Sequence, residues 1–347
     1  MTPRTLSVDA AIVGGGISGL WLANLLDRRG LSVVVCEPNG VGGTQTLASQ
    51  GIVHGGVKYG ASPLAGALKG MPDRWRACLE GRGEVDLTGV GVLAEKIDFH
   101  VGDETVEVDE FVLDIPSVVG RLARPIAHRV VASAVFPDSL VGDGTHIERF
   151  ELDACTIHAR TYLLAAGAGN EALARQAGFS GKAVEHRPLR QTIARLGRSA
   201  SVYAHWMASP TEAGPTLTVT SHDSLLSVGG RVADAGARRD EAAQIAVVKD
   251  LLRQAFPDID VETAAFETFV ADRAEPAAGA IRNLPDAHVA RRGNCLLCVP
   301  VKLSLAPRLG DLVMAELGDL TPGENGWRGD SGHRVVYAPS PYTRSPC

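Results

Sequence analysis

The chain has 347 residues, with 34 Lys and Arg against 40 Asp and Glu and a formal net charge of −6. Hydrophobic residues at 45% and charged residues at 21% describe a globular protein with apolar material for two domains. This balance excludes the concentrated basic face of a nucleic-acid binder, and six scattered cysteines (36, 78, 155, 295, 298 and 347) do not make a disulfide framework.

The opening residues Met1-Thr2-Pro3-Arg4 carry no leader pattern of basic then apolar residues, which predicts a cytoplasmic protein. Residues 10–26 form the longest apolar stretch, but four glycines, Ser18 and Asn24 interrupt it. It reads as strand, turn and helix and not as a membrane span. Asp9 to Val13 is predicted as a buried strand, Leu20 to Arg29 as a helix, and the valine-rich run Leu31 to Cys36 as a parallel strand covered on both faces. Residues 39–60 are Gly-rich and irregular, a length that usually serves function. Residues 85–114 read as β-hairpins, 115–127 as a helix and 128–165 as strands. From Arg187 to Gly230 the pattern is mostly β. A helix follows at 239–255, strands at 267–271 and 295–301, and a last helix at 308–317. After Leu320 the composition turns to Pro, Gly, Ser, Arg and Asn, which predicts a poorly ordered tail.

The clearest motif is Gly14-x-Gly16-x-x-Gly19 between the first strand and helix, followed by Glu37 at the end of the second strand. Gly14 permits the tight turn, Gly16 a close backbone approach to a diphosphate, and Gly19 close packing of helix on strand. The helix N-terminus, at Ile17 and Ser18, offers N–H donors and a positive dipole end to phosphate. Glu37 stands where an acid accepts hydrogen bonds from a ribose. The unit predicts a bound dinucleotide without choosing between FAD and NAD.

Three further patches carry a resemblance. Gly43-Thr44-Gln45-Thr46-Leu47-Ala48-Ser49-Gln50-Gly51-Ile52-Val53-His54-Gly55-Gly56-Val57-Lys58-Tyr59 is a small-residue run ending in His-Gly-Gly-x-basic-Tyr. Tyr162-Leu163-Leu164-Ala165-Ala166-Gly167 is an apolar strand closing on Ala-x-Gly, and Lys302-Leu303-Ser304-Leu305-Ala306-Pro307 is a strand-to-helix passage. In order and spacing, the four patches resemble the D-amino-acid-oxidase-type flavoprotein superfamily. The resemblance is strongest to the branch with FAD-dependent glycerol-3-phosphate dehydrogenases and L-2-hydroxyglutarate dehydrogenases, and it spans nearly the whole chain to about Leu317. It implies non-covalent FAD, held by Gly14, Gly16, Ile17, Ser18, Gly19, Glu37, Gly43, Thr44, Ser49, Gln50, Gly51, Gly167, Leu303 and Ser304. Two departures stand out. Cys298-Val299-Pro300-Val301 replaces a frequent Gly-Gly, and Lys58 stands where the glycerophosphate enzymes usually carry Arg. Set against the respiratory glycerophosphate enzymes with their large C-terminal domain, the chain is expected to be at most a short relative.

The resemblance further implies an α/β fold, a Rossmann-like FAD-binding domain interleaved with a β-rich substrate domain of antiparallel sheet and helices. Residues 7–84, 115–185 and 290–318 are assigned to the first, 85–114 and 186–289 to the second, and 320–347 to the tail. Oxidation of an alcohol or amine by a flavin needs the substrate C–H at the flavin N5 and a base for the O–H or N–H proton. His54 is the candidate base by analogy. Arg273, in Asp272-Arg273-Ala274-Glu275-Pro276, resembles the family's anion clamp. Lys58, Tyr59 and Lys302 complete the candidate catalytic set, and no metal site is expected. The expected reaction transfers a hydride from a small anionic hydroxy compound, of the glycerol 3-phosphate or 2-hydroxy acid type, to FAD. The electron acceptor (oxygen, quinone or protein) stays open. Alternatives are an amino-acid or secondary-amine oxidase, a flavin-binding subunit without its own turnover, and, weakest, an NAD-dependent dehydrogenase. Cys295 and Cys298, three apart in a strand, are expected to pack on opposite faces. The run containing His205 is expected to be strand packing, and Arg190 and Gln191 chiefly structural.

Overall fold

Alternate residues of the first strand, Arg4–Val13, go to different cores: Ala10 and Ile12 to one, Ala11 and Val13 to the other. A strand buried on both faces needs cover on both, and this is the parallel-sheet condition. In the computed structural model, which describes residues 4–277, 286–324 and 326–343, Arg4–Val13 is flanked in parallel by Val33–Cys36 and Cys155–Leu164. Cys295–Val299 adds in parallel beyond Cys155–Leu164, and Val130–Val131 beyond Val33–Cys36. Helices Ile17–Arg28, Ile115–Ile126 and Ala306–Leu317 contribute apolar residues to one core. The antiparallel strands Leu140–Gly142 and Ile147–Glu151, with helix Asn170–Gln176, contribute to the other. Cys295 belongs to this second core and Cys298 to the first, as the alternation of a strand requires. Residues 278–285 of the expected substrate domain and 344–347 of the expected tail, Cys347 among them, lie outside the described residues.

The second domain is built on a seven-stranded sheet. Its longest ladder is antiparallel and runs from Val184 opposite Pro276 to Arg195 opposite Ala265. Leu225–Gly229, Leu217–His222 and Tyr203–Met207 follow, and then the hairpin Ile97–Val101 and Glu104–Val108 joins, parallel to Tyr203–Met207. Helix Glu241–Ala255 packs Val248 and Leu252 against this sheet, and the Asp240 carboxylate caps it by accepting the Ala243 N–H at 2.8 Å.

The junction is finer than the expected break at 85–114. Val85, Leu87, Val90, Phe111 and Leu113 are buried in the core of the first domain, and only the hairpin reaches the second sheet. A three-stranded sheet of Ile52–Val53, Phe111–Leu113 and Val92–Ala94 forms the seam. Strand Cys295–Val299 stops short of the expected 301 because Val301 takes φ 62° and the Lys302 N–H donates to Pro300 O at 2.6 Å, a tight γ-turn. A left-handed conformation is costly for a β-branched residue. It falls where the family resemblance leads one to expect glycine.

The segment after Leu320 differs from the poorly ordered tail that its composition predicts. Trp327 N–H donates to Ser7 O at 2.6 Å, Ser331 N–H to His128 O at 2.6 Å, and Ala338 N–H to Val41 O at 3.0 Å. The Tyr342 hydroxyl ends the segment at the domain seam, 3.0 Å from Ala48 O and 3.1 Å from both Gln191 Oε1 and Ser227 Oγ. Composition misjudged this segment because its order comes from bonds to distant backbone and not from periodic burial.

Candidate functional site

The parallel strands all run toward one edge, and a cleft of about 870 Å³ opens there against the second sheet. Open α/β sheets bind ligands at this carboxyl edge. Gly14 has φ 107°, and a Cβ on it would lie 2.4 Å from Ala165 O. A Cβ on Gly19 would lie 1.9 Å from Gly14 O, so Gly19 sits behind the cleft wall and serves packing alone. Helix Ile17–Arg28 opens at Gly16 without a side-chain cap, and its Ile17 N–H donates to Thr46 Oγ1 at 2.9 Å. Glu37 accepts the Gly15 N–H on Oε2 and the Asn39 N–H on Oε1, each at 2.8 Å, fixing the carboxylate at the cleft edge.

Of the other expected cofactor contacts, Gly43, Ser49, Gln50, Gly167, Leu303 and Ser304 line the cleft. Gly51 does not: a Cβ there would meet Leu113 O at 2.2 Å, behind the wall. The Thr44 side chain lies outside the described residues, and its neighbours Gln45 and Thr46 line the cleft. Gln50 donates through Nε2 to Thr218 O at 2.8 Å and Ser227 O at 2.9 Å, pinning the loop to the second sheet. Ser304 works as a brace. Its Oγ accepts the His54 N–H at 2.8 Å and donates to Ile52 O at 3.2 Å.

His54, Lys58, Tyr59, Arg273 and Lys302 are brought together on the cleft wall. The His54 Nδ1 lies 2.7 Å from Glu110 Oε2, and the same oxygen lies 3.1 Å from His205 Nε2. Glu110 is fully buried; its Oε1 accepts the N–H groups of Gly55 at 3.0 Å and Gly56 at 3.3 Å. Burial pushes the His54 pKa down to about 3, with the Lys58 charge adding, and pushes His205 down to about 4. Burial alone would raise the Glu110 carboxyl, but the hydrogen bonds and charges of the two histidines hold it well below the usual range.

The ammoniums of Lys58 and Lys302 lie over the Tyr59 ring, at 5.2 and 5.9 Å from its centre. Neither makes an ion pair with a carboxylate among the described residues. Burial and neighbouring cations lower Lys58 to about 7 and Lys302 to about 8. Arg273 faces Arg187 directly across the strand ladder, a like-charge pair that would repel on its own. Asp234 resolves it, its Oδ1 accepting from Arg273 at 2.7 Å and Arg187 at 3.1 Å. Arg273 therefore stands on the cleft wall with one guanidinium nitrogen committed to Asp234.

Glu110 and His205 are the members that sequence reading missed. The only signal for Glu110 is a charge opening the apolar run Phe111-Val112-Leu113. His205 sits on an inward register position of its strand. Gln191 reaches the cleft, whereas Arg190 turns away to Thr268 Oγ1 at 3.0 Å.

Fold and cleft together are those of an α/β protein with a dinucleotide-type turn at the cleft floor. A family model described as FAD dependent oxidoreductase (DAO) matches residues 9–111. A probable FAD-dependent oxidoreductase of Pseudomonas aeruginosa, PA4991, is 35% identical over 91% of this chain and 92% of its own. The crystal structure of that protein superposes with a TM-score of 0.87 at 34% identity, covering 98% of this chain and 99% of the other. The chain belongs to this family of FAD-dependent oxidoreductases, and its cofactor is FAD. A glycerol-3-phosphate dehydrogenase of Pseudomonas tolaasii is 38% identical over 17% of this chain and 13% of its own length. Glycine oxidase from Geobacillus kaustophilus shares the fold, with a TM-score of 0.67 at 17% identity over 92% of this chain and 96% of its own. Among the described residues, no helix is long and apolar enough to cross a membrane.

Proposed function

We propose that the enzyme oxidises a small anionic hydroxy compound, of the glycerol 3-phosphate or 2-hydroxy acid type, at the end of the cleft where His54 and the two lysines meet. Bound FAD supplies a hydride acceptor. Gly14, Gly16 and the helix N-terminus at Ile17 and Ser18, where Thr46 Oγ1 accepts the Ile17 N–H, would take its diphosphate and Glu37 its ribose, with Gly167, Leu303 and Ser304 along the dinucleotide. This fits the structure, because any Cβ at Gly14 would drive into Ala165 and close the floor. His54, neutral and partly accessible, accepts the substrate O–H proton.

The observation that carries the reading is the pair of ammoniums at Lys58 and Lys302, which line the cleft without a direct ion pair to any carboxylate among the described residues. Two half-buried neighbouring cations without direct ion-pair partners favour a ligand that supplies negative charge. Arg273, held by Asp234, forms the outer wall of that subsite.

A second reading, oxidation of an amino acid or secondary amine, rests on Asp234 and Glu275, carboxylates beside the same wall that would receive a substrate ammonium. Anaerobic titration of the yellow holoenzyme separates the two. Bleaching by glycerol 3-phosphate or 2-hydroxy acids, and not by glycine, proline or N-methyl amino acids, is expected. Bleaching by the amines alone would overturn the first reading in favour of the second.

A further inference from the structure

The proposed base is half of a buried pair. We infer that Glu110, backed by His205, is the positioning residue that fixes the tautomer of His54, holding the proton on Nδ1 and leaving the Nε2 lone pair to receive the substrate proton. This inference rests on the proposed alcohol-oxidising role of His54.

Every donor and acceptor around Glu110 has a defined sense. Backbone N–H groups can only donate, so Oε1 is an acceptor from Gly55 and Gly56. An ionised carboxylate can only accept, so His54 must donate from Nδ1 and His205 from Nε2 to Oε2. His205 Nδ1 is then left as the acceptor for the Thr218 hydroxyl at 3.0 Å. The His54 backbone N–H is tied to Ser304. Nε2 is the ring nitrogen of His54 left without a protein partner among the hydrogen bonds of the described residues. The ring is gripped at every polar point except the one a base needs.

The step balances simply. The substrate O–H would give its proton to His54 Nε2 as the carbinol C–O bond becomes C=O, and FAD, when bound, would supply the acceptor for the hydride that leaves the carbinol carbon. His54 is then an imidazolium whose positive charge lies 2.7 Å from the Glu110 carboxylate. A charge that forms against a preorganised, buried counter-ion needs no solvent to reorganise. Besides Glu110, the charged or titratable groups facing His54 are Lys58 on its own loop and His205 on the second sheet, with the Tyr59 ring edge-on at 5.9 Å. Lys58 opposes proton uptake, so Glu110 must offset it.

Glu110→Gln is the informative change, because the geometry predicts an inversion and not a mere loss. The amide oxygen must stay on the Oε1 side, where two N–H groups point at it. That turns the amide NH₂ toward His54 Nδ1 and His205 Nε2, which must become acceptors. The His54 proton moves to Nε2, where it blocks base function.

The first test needs no substrate: two-bond ¹H–¹⁵N correlation spectra of histidine-labelled protein, with and without FAD, with His54 assigned from His54→Asn. Wild type is expected to show a neutral His54 protonated on Nδ1 at pH 7, and Glu110→Gln to show it protonated on Nε2. A wild-type His54 protonated on Nε2, or charged at pH 7, overturns the inference. So does a stoichiometric metal ion that chelators remove from the cluster. The second test is anaerobic flavin reduction by glycerol 3-phosphate or L-2-hydroxyglutarate, whichever bleaches. His54→Ala and Glu110→Gln should both slow reduction on the order of 10²-fold or more, with little change in KM. If His54→Ala is as fast as wild type, the proposed role of His54 fails. If His54→Ala is slow and Glu110→Gln is not, this inference alone fails.

Discussion

Gly14→Ala tests whether the turn after the first strand is a cofactor floor or only a turn. The substitution introduces two costs. One is conformational: at φ 107° an L side chain is strained, by about 1–2 kcal/mol for a left-handed conformation. The other is steric, because the new Cβ would lie 2.4 Å from Ala165 O, 2.8 Å from Ala165 C and 2.9 Å from Ala166 Cα, all backbone atoms. No side chain can swing away, so the strand end carrying Ala165, Ala166 and Gly167 must retreat. Overpacking of this kind costs about 1–3 kcal/mol, giving roughly 2–5 kcal/mol in all. If the retreat must be reversed to seat FAD, the dissociation constant rises roughly 30- to 4,000-fold. Gly70→Ala is the control, with φ 79° and ψ −3° but nothing within 4 Å of its Cβ. It carries the strain without the clash. The assay is the FAD-to-protein ratio after gel filtration, followed by the recovery of free-flavin fluorescence on dilution. Full flavin content and an unchanged dissociation constant for Gly14→Ala would refute the reasoning, whatever its melting temperature.

Three other outcomes are expected. Lys58 and Lys302 are charged only below about 7 and about 8, so an anionic substrate should bind more weakly as pH rises through that window. Lys302→Met should raise KM and flatten that dependence, and an identical pH profile in the variant would count against the anion subsite. Arg273→Ala leaves Asp234 with Arg187 as its remaining arginine partner; substrate affinity should fall while flavin stays bound, and an unchanged KM would exclude Arg273 from the subsite. Tyr342→Phe removes the hydroxyl that joins Ala48, Gln191 and Ser227; a loss of about 1–3 kcal/mol is expected in urea unfolding of the holoenzyme, and no loss would mean that the tail docks without tying the seam.

The fingerprint and the valine-rich strand were readable because each is a local code: glycines where backbones meet, and apolar runs where both faces are covered. The meeting of the lysines and His54 in one cleft was readable only through a motif carried by resemblance. Glu110 and His205 were not readable, because they are 95 residues apart and meet only across the domain seam. The tail was misjudged for the same reason, its partners being Ser7, Val41 and His128. Arg273 illustrates a third kind of miss. Its place in the cleft was expected, but the hydrogen bond from its guanidinium to Asp234, 39 residues earlier, was not. Local patterns specify elements, whereas the charge state of a site depends on which elements meet.

The five thiols within the described residues give this protein an internal clock. Cys78 and Cys298 lie in one core layer, and Cys36, Cys155 and Cys295 in the other, all free and buried. A thiol reagent can reach them only when a layer opens, so labelling rates measure opening and not surface chemistry. In a background lacking Cys347, following Cys295 against Cys298 by mass spectrometry compares two neighbours on one short strand. Which of the two reacts first would tell which side of the central sheet comes apart first, and whether FAD slows one side or both.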